Sequence, residues 1–135
     1  MSDILVTFPG GSQVAARSEA FEILTDQPVA DGGSNAGPSP YDLFLSSVAT
    51  CSGFYALRFC QERHLATAGL ALRLAIVRHP ETRRLEQITL HLTLPQGFPE
   101  KYRKAISRAI DQCSVKKILA DPPTVSLAIE DAEGR

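Results

Sequence analysis

The sequence holds three cysteines, Cys51, Cys60 and Cys113, and no CxxC among them. So sparse and odd a set excludes a disulfide-braced scaffold and a zinc ribbon, which need paired thiols at close spacing. Charge of one sign is lacking as well: 14 Lys and Arg against 15 Asp and Glu leave a formal net charge of -1. No whole-chain field would gather nucleic acid or an anionic membrane, and neither is expected as a partner. Long apolar runs are also missing. The uncharged span from Leu43 to Leu57 falls short of the ~20 apolar residues a bilayer crossing needs, so it predicts a buried central helix rather than an anchor. The start, Met1-Ser-Asp-Ile-Leu-Val-Thr-Phe, has neither the basic opening nor the apolar run of a signal peptide, which leads us to expect a cytoplasmic protein with reduced thiols. No phosphate loop, Ser/His/Asp arrangement, paired-carboxylate signature or internal repeat occurs.

What is present is the balance of a soluble globular chain. Hydrophobic residues make up 44% and charged residues 21% of 135, enough for one domain, residues 1–135, with a core of its own, although small single domains often complete that core by dimerising. Ile4 to Phe8 alternate apolar and polar, Pro9-Gly10-Gly11 breaks the run, and Gln13 to Thr25 carries further strand-like segments. Two or three short antiparallel strands are predicted. Gln27 to Pro40 is rich in Gly, Pro, Ser, Asn and Asp, the composition of a long and functional loop.

Ser39-Pro40-Tyr41-Asp42 then reads as a helix start, with Ser39 as N-cap, Pro40 in the first helical position and an acidic side chain in the first turn. The helix should run to about His64. Phe44, Val48, Cys51, Tyr55 and Phe59 recur along it at helical spacing, while Ser46, Ser47, Thr50 and Gly53 allow another backbone to approach. Leu70, Leu72, Leu74 and Ile76, then Ile88, Leu90, Leu92 and Leu94, alternate with more polar or smaller residues around a short turn at His79, which predicts an antiparallel hairpin. Pro99-Glu100 opens a second helix with Tyr102, Ala105, Ile106, Ala109, Ile110 and Cys113 on its core stripe. A short helical segment from Ser114 to Ala120, a final strand from Thr124 to Ile129 and a frayed tail from Asp131 complete the chain. The fold class is α+β with mostly antiparallel pairing, a ferredoxin-like sandwich being the alternative.

The chemistry rests on thiols. Cys51 sits mid-helix, where the helix dipole gives little help in forming a thiolate, so a cation should be needed to activate it. Cys113 is followed by Lys116 and Lys117 at i+3 and i+4, and those ammonium groups would favour its thiolate. Both cysteines could equally be buried apolar fillers. Cys60 lies about half a turn around the helix from Cys51 and should not pair with it. Cys60 and His64, at i and i+4, make only two ligands, too few for a metal site. His79 and His91 are expected in solvent, Asp42 stabilises its own helix start, and the basic run Lys101, Arg103, Lys104, Arg108 reads as a solvated face.

Gly37-Pro-Ser-Pro-Tyr-Asp-Leu-Phe-Leu-Ser-Ser-Val-Ala-Thr-Cys51-Ser and Cys113-Ser-Val-Lys-Lys-Ile-Leu resemble the two cysteine motifs of the OsmC/Ohr family, the osmotically inducible and organic hydroperoxide resistance proteins. The order of elements agrees from about residue 4 to residue 130, and the closest likeness is to the YhfA-like branch. The resemblance implies an intertwined homodimer with sites at the subunit interface and an antioxidant role in the oxidative stress response. It implies a peroxiredoxin-like thiol peroxidase acting on organic hydroperoxides, with Cys51 peroxidatic and Cys113 resolving, in a pocket lined by Phe44, Val48, Tyr55 and Tyr102. It implies no cofactor, and as reductant an external dithiol such as a lipoyl protein. The arginine by which the peroxidase branches activate their thiol has Arg17 as its nearest counterpart, and the glutamate at their helix start is replaced by Tyr41 or Asp42. The alternative is a noncatalytic dimeric binding protein that keeps the pocket for an apolar or thiol-bearing ligand.

Overall fold

Antiparallel pairing and one long helix organise the chain, whose computed structural model describes residues 3–132. In order come β1 (Leu5–Gly10), β2 (Gln13–Arg17), β3 (Glu22–Thr25), α1 (Pro40–Glu62), β4 (Ala71–Arg78), β5 (Leu85–Thr93), α2 (Arg103–Ile110) and α3 (Ser114–Ala120). The architecture is α+β, as its alternation predicts. The described residues fall into two compact units, one up to Thr50 with Ala71–Thr93, the other Cys51–Leu70 with the chain from Leu94 onward.

In the first unit β1, β2 and β3 form a meander in which β2 is central. Its register places Ala15 opposite both Thr7 and Leu24, and Ala15 is the buried residue of the strand. The Thr25 hydroxyl fastens β3 to β2 by donating to the Val14 carbonyl at 2.6 Å. The hairpin forms as the alternation predicts: β4 and β5 pair Leu72 with Leu92, Leu74 with Leu90 and Ile76 with Ile88, so one face of the ribbon carries the aliphatic side chains. Its turn is built by His79, whose Nδ1 accepts hydrogen bonds from the backbone N–H of Glu81 at 3.2 Å and Thr82 at 3.1 Å. That imidazole is a structural acceptor rather than a solvated bystander.

The Gly/Pro-rich loop after β3 is fixed by a residue that composition alone does not single out. Asp26 is 1% exposed; one carboxylate oxygen accepts from Gln27 N at 2.7 Å, the other from Ser34 N at 3.1 Å and Ala36 N at 3.0 Å. The backbone folds so closely around it that a Cβ on Gly33 would collide with the Gln27 carbonyl. The amides of Ala36 and Gln27 hold the Asp26 carboxyl below its ordinary value, against the opposing effect of burial. The loop then delivers Ser39, whose Oγ accepts from Asp42 N at 3.1 Å, the capping bond expected of that residue.

In the second unit the core is Ala56, Phe59 and Cys60 from α1 with Ile106 and Ile110 from α2. Burying each of the two isoleucines contributes about 1.5–3 kcal/mol. Phe59 meets Tyr102 edge to face at 5.7 Å between ring centroids, a geometry that adds to simple burial.

Three expectations change. The central helix is not buried throughout: 28% of its most apolar window is buried within the chain, and Phe54 and Leu57 stand exposed. By length and composition alone Pro40–Glu62 would suffice to cross a membrane. The second helix is interrupted. It closes at Ile110 with turns from Gln112 N to Ala109 O and Cys113 N to Ile110 O, because the Asp111 carboxylate opposes the dipole at a helix C-terminus and engages Lys116 instead. Cys113 therefore lies in a junction rather than on the α2 stripe. Finally, Thr124–Ile129 forms no strand among the described residues. Val125, Leu127 and Ile129 are 87–91% exposed; the alternation is that of a strand, but it pairs with no other strand among the described residues. The expected tail lies, from Glu133 on, outside the described residues.

Candidate functional site

Cys51 and Cys113 come together. Cys51 occupies the middle of α1 and is partly exposed, whereas Cys113 is fully buried. Cys113 is the residue before α3, with φ −52 and ψ 120, and this extended backbone turns the first amides of α3 toward Cys51. Both thiols are free. Burial opposes ionisation of Cys51, but hydrogen bonds from the Cys113 thiol, the Val115 backbone and the Ser114 side chain and backbone outweigh it, so its pKa lies below the ordinary thiol value. The Ser114 hydroxyl stands 4.0 Å from the Cys51 sulfur.

Within the chain, and among the described residues, the groups that favour the Cys51 thiolate are neutral donors from the Cys113–Val115 junction. The ammonium groups of Lys116 and Lys117 engage Asp111 at 2.7 Å and Gln112 at 3.0 Å. The donors that matter come from another segment, which spacing within α1 cannot show. A cysteine followed by Ser and Val just after a helix stop is the signal that could have found it.

The remaining candidates are placed as follows. Arg17 ends β2 and is exposed. Asp42 receives the Ser39 cap through its amide, and the ring of Tyr41 lies under the Arg78 guanidinium at 4.7 Å. Cys60 is fully buried on α1, and burial raises its pKa despite the opposing charge of Arg63. His64 takes a left-handed backbone, φ 53, just beyond α1. No group of three or more His, Cys, Asp or Glu suited to a metal ion occurs among the described residues.

A cavity of about 450 Å³ opens between the C-terminal half of α1 and α2. Tyr55, Phe59, Ala105 and Ala109 give it an apolar lining, and Arg63 and Arg108 bring guanidinium groups to it. Tyr55 follows Cys51 by one helical turn and Gln112, also at the wall, precedes Cys113. Of the residues expected to line a pocket with Cys51, Tyr55 is at this cavity, while Phe44, Val48, Cys51 and Cys113 are not in its wall and Tyr102 packs on Phe59.

The sequence profile of the OsmC-like protein family matches residues 32–128, most of the chain and both cysteine motifs. The chain belongs to the OsmC-like family. Solved structures of this family share its fold. A Psychrobacter arcticus protein provisionally assigned to osmotic stress induction and detoxification is 26% identical, with a TM-score of 0.70 and 87% of each chain covered. An OsmC-like protein from Mycoplasma pneumoniae is 21% identical, with a TM-score of 0.66 over 89% of this chain and 87% of that one. An organic hydroperoxide resistance protein from Elizabethkingia anophelis is 19% identical, with a TM-score of 0.58 over 90% and 91%. No curated protein matches significantly.

Proposed function

We propose that this OsmC-like protein is a thiol-dependent peroxidase that reduces organic hydroperoxides through Cys51 and Cys113. The observation that carries the reading is the setting of Cys51: a thiol biased toward its thiolate, open to solvent in part, with the Ser114 hydroxyl 4.0 Å away and the second thiol, Cys113, nearby. The likeness to organic hydroperoxide resistance proteins supports the substrate class. The Cys51 thiolate attacks the terminal peroxide oxygen, the O–O bond breaks, and the alkoxide leaves as an alcohol after taking a proton from water. Cys51 is then a sulfenic acid. The Cys113 thiol displaces its hydroxyl as water, forming a Cys51–Cys113 disulfide, and an external dithiol returns both thiols by exchange while itself becoming a disulfide. A cytoplasmic setting, with its dithiol reductants, suits that last step.

We further propose that the protein works as a homodimer. The apolar surface of α1 left uncovered and the unpaired alternation Val125, Leu127, Ile129 support it, since such surfaces seldom face water in a stable monomer.

The test is a titration of the reduced protein with cumene hydroperoxide, followed by mass spectrometric mapping. One peroxide per chain should consume two thiols and yield the Cys51–Cys113 disulfide. A Cys51→Ser protein that reduces peroxide at the parent rate would refute the reading. The cavity between α1 and α2 favours a second reading, a binding protein for a small apolar ligand; negligible peroxide reactivity with retained ligand binding would select it.

A further inference from the structure

The cavity between α1 and α2 has more positive charge than its neighbours neutralise. Four charged side chains reach it: Arg58, Glu62, Arg63 and Arg108. Arg58 and Glu62 satisfy each other, Nε to Oε1 at 2.8 Å. Arg63 and Arg108 have no carboxylate partner among the described residues, and Arg108 has no hydrogen bond there either.

These two guanidiniums, which lack a carboxylate partner among the described residues, are held differently. Arg63 lies flat on Phe59, its guanidinium carbon 3.6 Å from the ring centroid, and donates from Nη1 to the Phe59 carbonyl at 3.2 Å. It is thus oriented before any ligand arrives, with most of its five donors unused. Arg108 stands on α2, exposed, and lines the same cavity. Between them the lining is aromatic and small aliphatic: Tyr55, Phe59, Ala105 and Ala109. A volume of about 450 Å³ falls within the ~300–1,000 Å³ of small-molecule sites, which pair an apolar lining with a few placed polar groups.

We propose that this cavity binds a small apolar anion, a carboxylate or sulfonate on a flat hydrocarbon body, with the anion between Arg63 and Arg108 and the body on Tyr55 and the alanines. Charge complementarity selects the anion, because two guanidiniums facing one cavity repel each other until a negative group bridges them. The apolar walls select the body, since a bare inorganic anion would leave them wet. The site deepens the binding reading by naming its ligand class, and it stands independently of whether Cys51 reduces peroxides.

The experiment is calorimetric titration of the full chain with naphthoate and with naphthylmethanol, which share the ring system and differ in charge. Naphthoate should bind at one site per chain at least about tenfold more tightly than the alcohol at low salt, and the gap should narrow as salt screens the arginines. In an Arg63→Gln/Arg108→Gln protein the preference should fall to within about twofold. Cys51→Ser should leave it unchanged, which separates this site from the peroxidase chemistry. Arg108→Gln alone replaces an exposed side chain that makes no hydrogen bond or ion pair among the described residues, so it reports even if the double variant does not fold, and it should reduce the preference. Equal binding of the two compounds, no saturable binding of naphthoate, or an unchanged preference in Arg108→Gln would overturn the proposal.

Discussion

Two regions of this molecule gather backbone amides around an acidic group, and they use the same device to opposite ends. At Asp26 three amides converge on a carboxylate; at Cys51 the amides of Ser114 and Val115 join two side-chain donors around a thiol. The carboxylate is ionised at neutral pH without help, so the amides around it stabilise a loop conformation. A thiol is not, so the same donors change how much of it is reactive. The lesson is that an amide cradle fixes structure where the charge is already certain and sets reactivity where the charge is marginal.

The largest expected effect breaks the structural half of the comparison. Gly33→Ala places a methyl group against the Gln27 carbonyl beside Asp26, and should destabilise the protein by about 1–3 kcal/mol in urea unfolding. Asp26→Asn should lower the melting temperature too, since an amide nitrogen then faces backbone donors. The pH dependence has a definite sign. Because the folded-state pKa of Asp26 lies below its ordinary 3.8, the contribution is complete above that value and is lost as pH falls through the lower, folded-state pKa. Melting curves of the parent should therefore lose stability on acidification below 3.8, and those of Asp26→Asn should lose less there. Parallel curves would show that the carboxylate does not hold the loop.

Next comes the reactive half. In iodoacetamide labelling of the reduced protein, Cys51 should be modified first and Cys60 last, because Cys60 is buried and its pKa raised. Cys113→Ala removes the strongest donor to Cys51, so the pH profile of Cys51 labelling should move to higher pH, slowing reaction at neutral pH severalfold. Ser114→Ala, which leaves the backbone amides in place, should move the profile in the same direction by less. A profile unchanged in both variants would mean that the junction does not favour the thiolate.

The elements were legible in the sequence because local signals set them. Ser39 caps α1 as its side-chain chemistry predicts, and the aliphatic alternation of β4 and β5 translates directly into their register. The cysteine motifs were legible as a pair, but the means of activating Cys51 was not. Periodicity carries Cys113 along α2, whereas Asp111 and Gln112 stop that helix and turn Cys113 into a new one. The Asp26 cradle escaped notice for a related reason: its partners are the amides of Gln27, Ser34 and Ala36, and backbone donors leave no mark in residue identity. Thr124–Ile129 marks the opposite case, a strand-like pattern that the chain by itself does not use.

The smallest expected effect concerns Ser52, the neighbour of Cys51 on α1. Its side-chain oxygen is buried without a hydrogen-bond partner among the described residues, in contrast to the fully satisfied oxygens of Asp26. A buried hydroxyl in that state carries a desolvation cost with nothing to offset it. Ser52→Ala removes the cost and improves helix propensity, so it should raise stability by about 1 kcal/mol in urea unfolding while leaving the labelling profile of Cys51 unchanged. A loss of stability would reveal a partner for the hydroxyl, and a shifted profile would place Ser52 among the groups that tune the thiol.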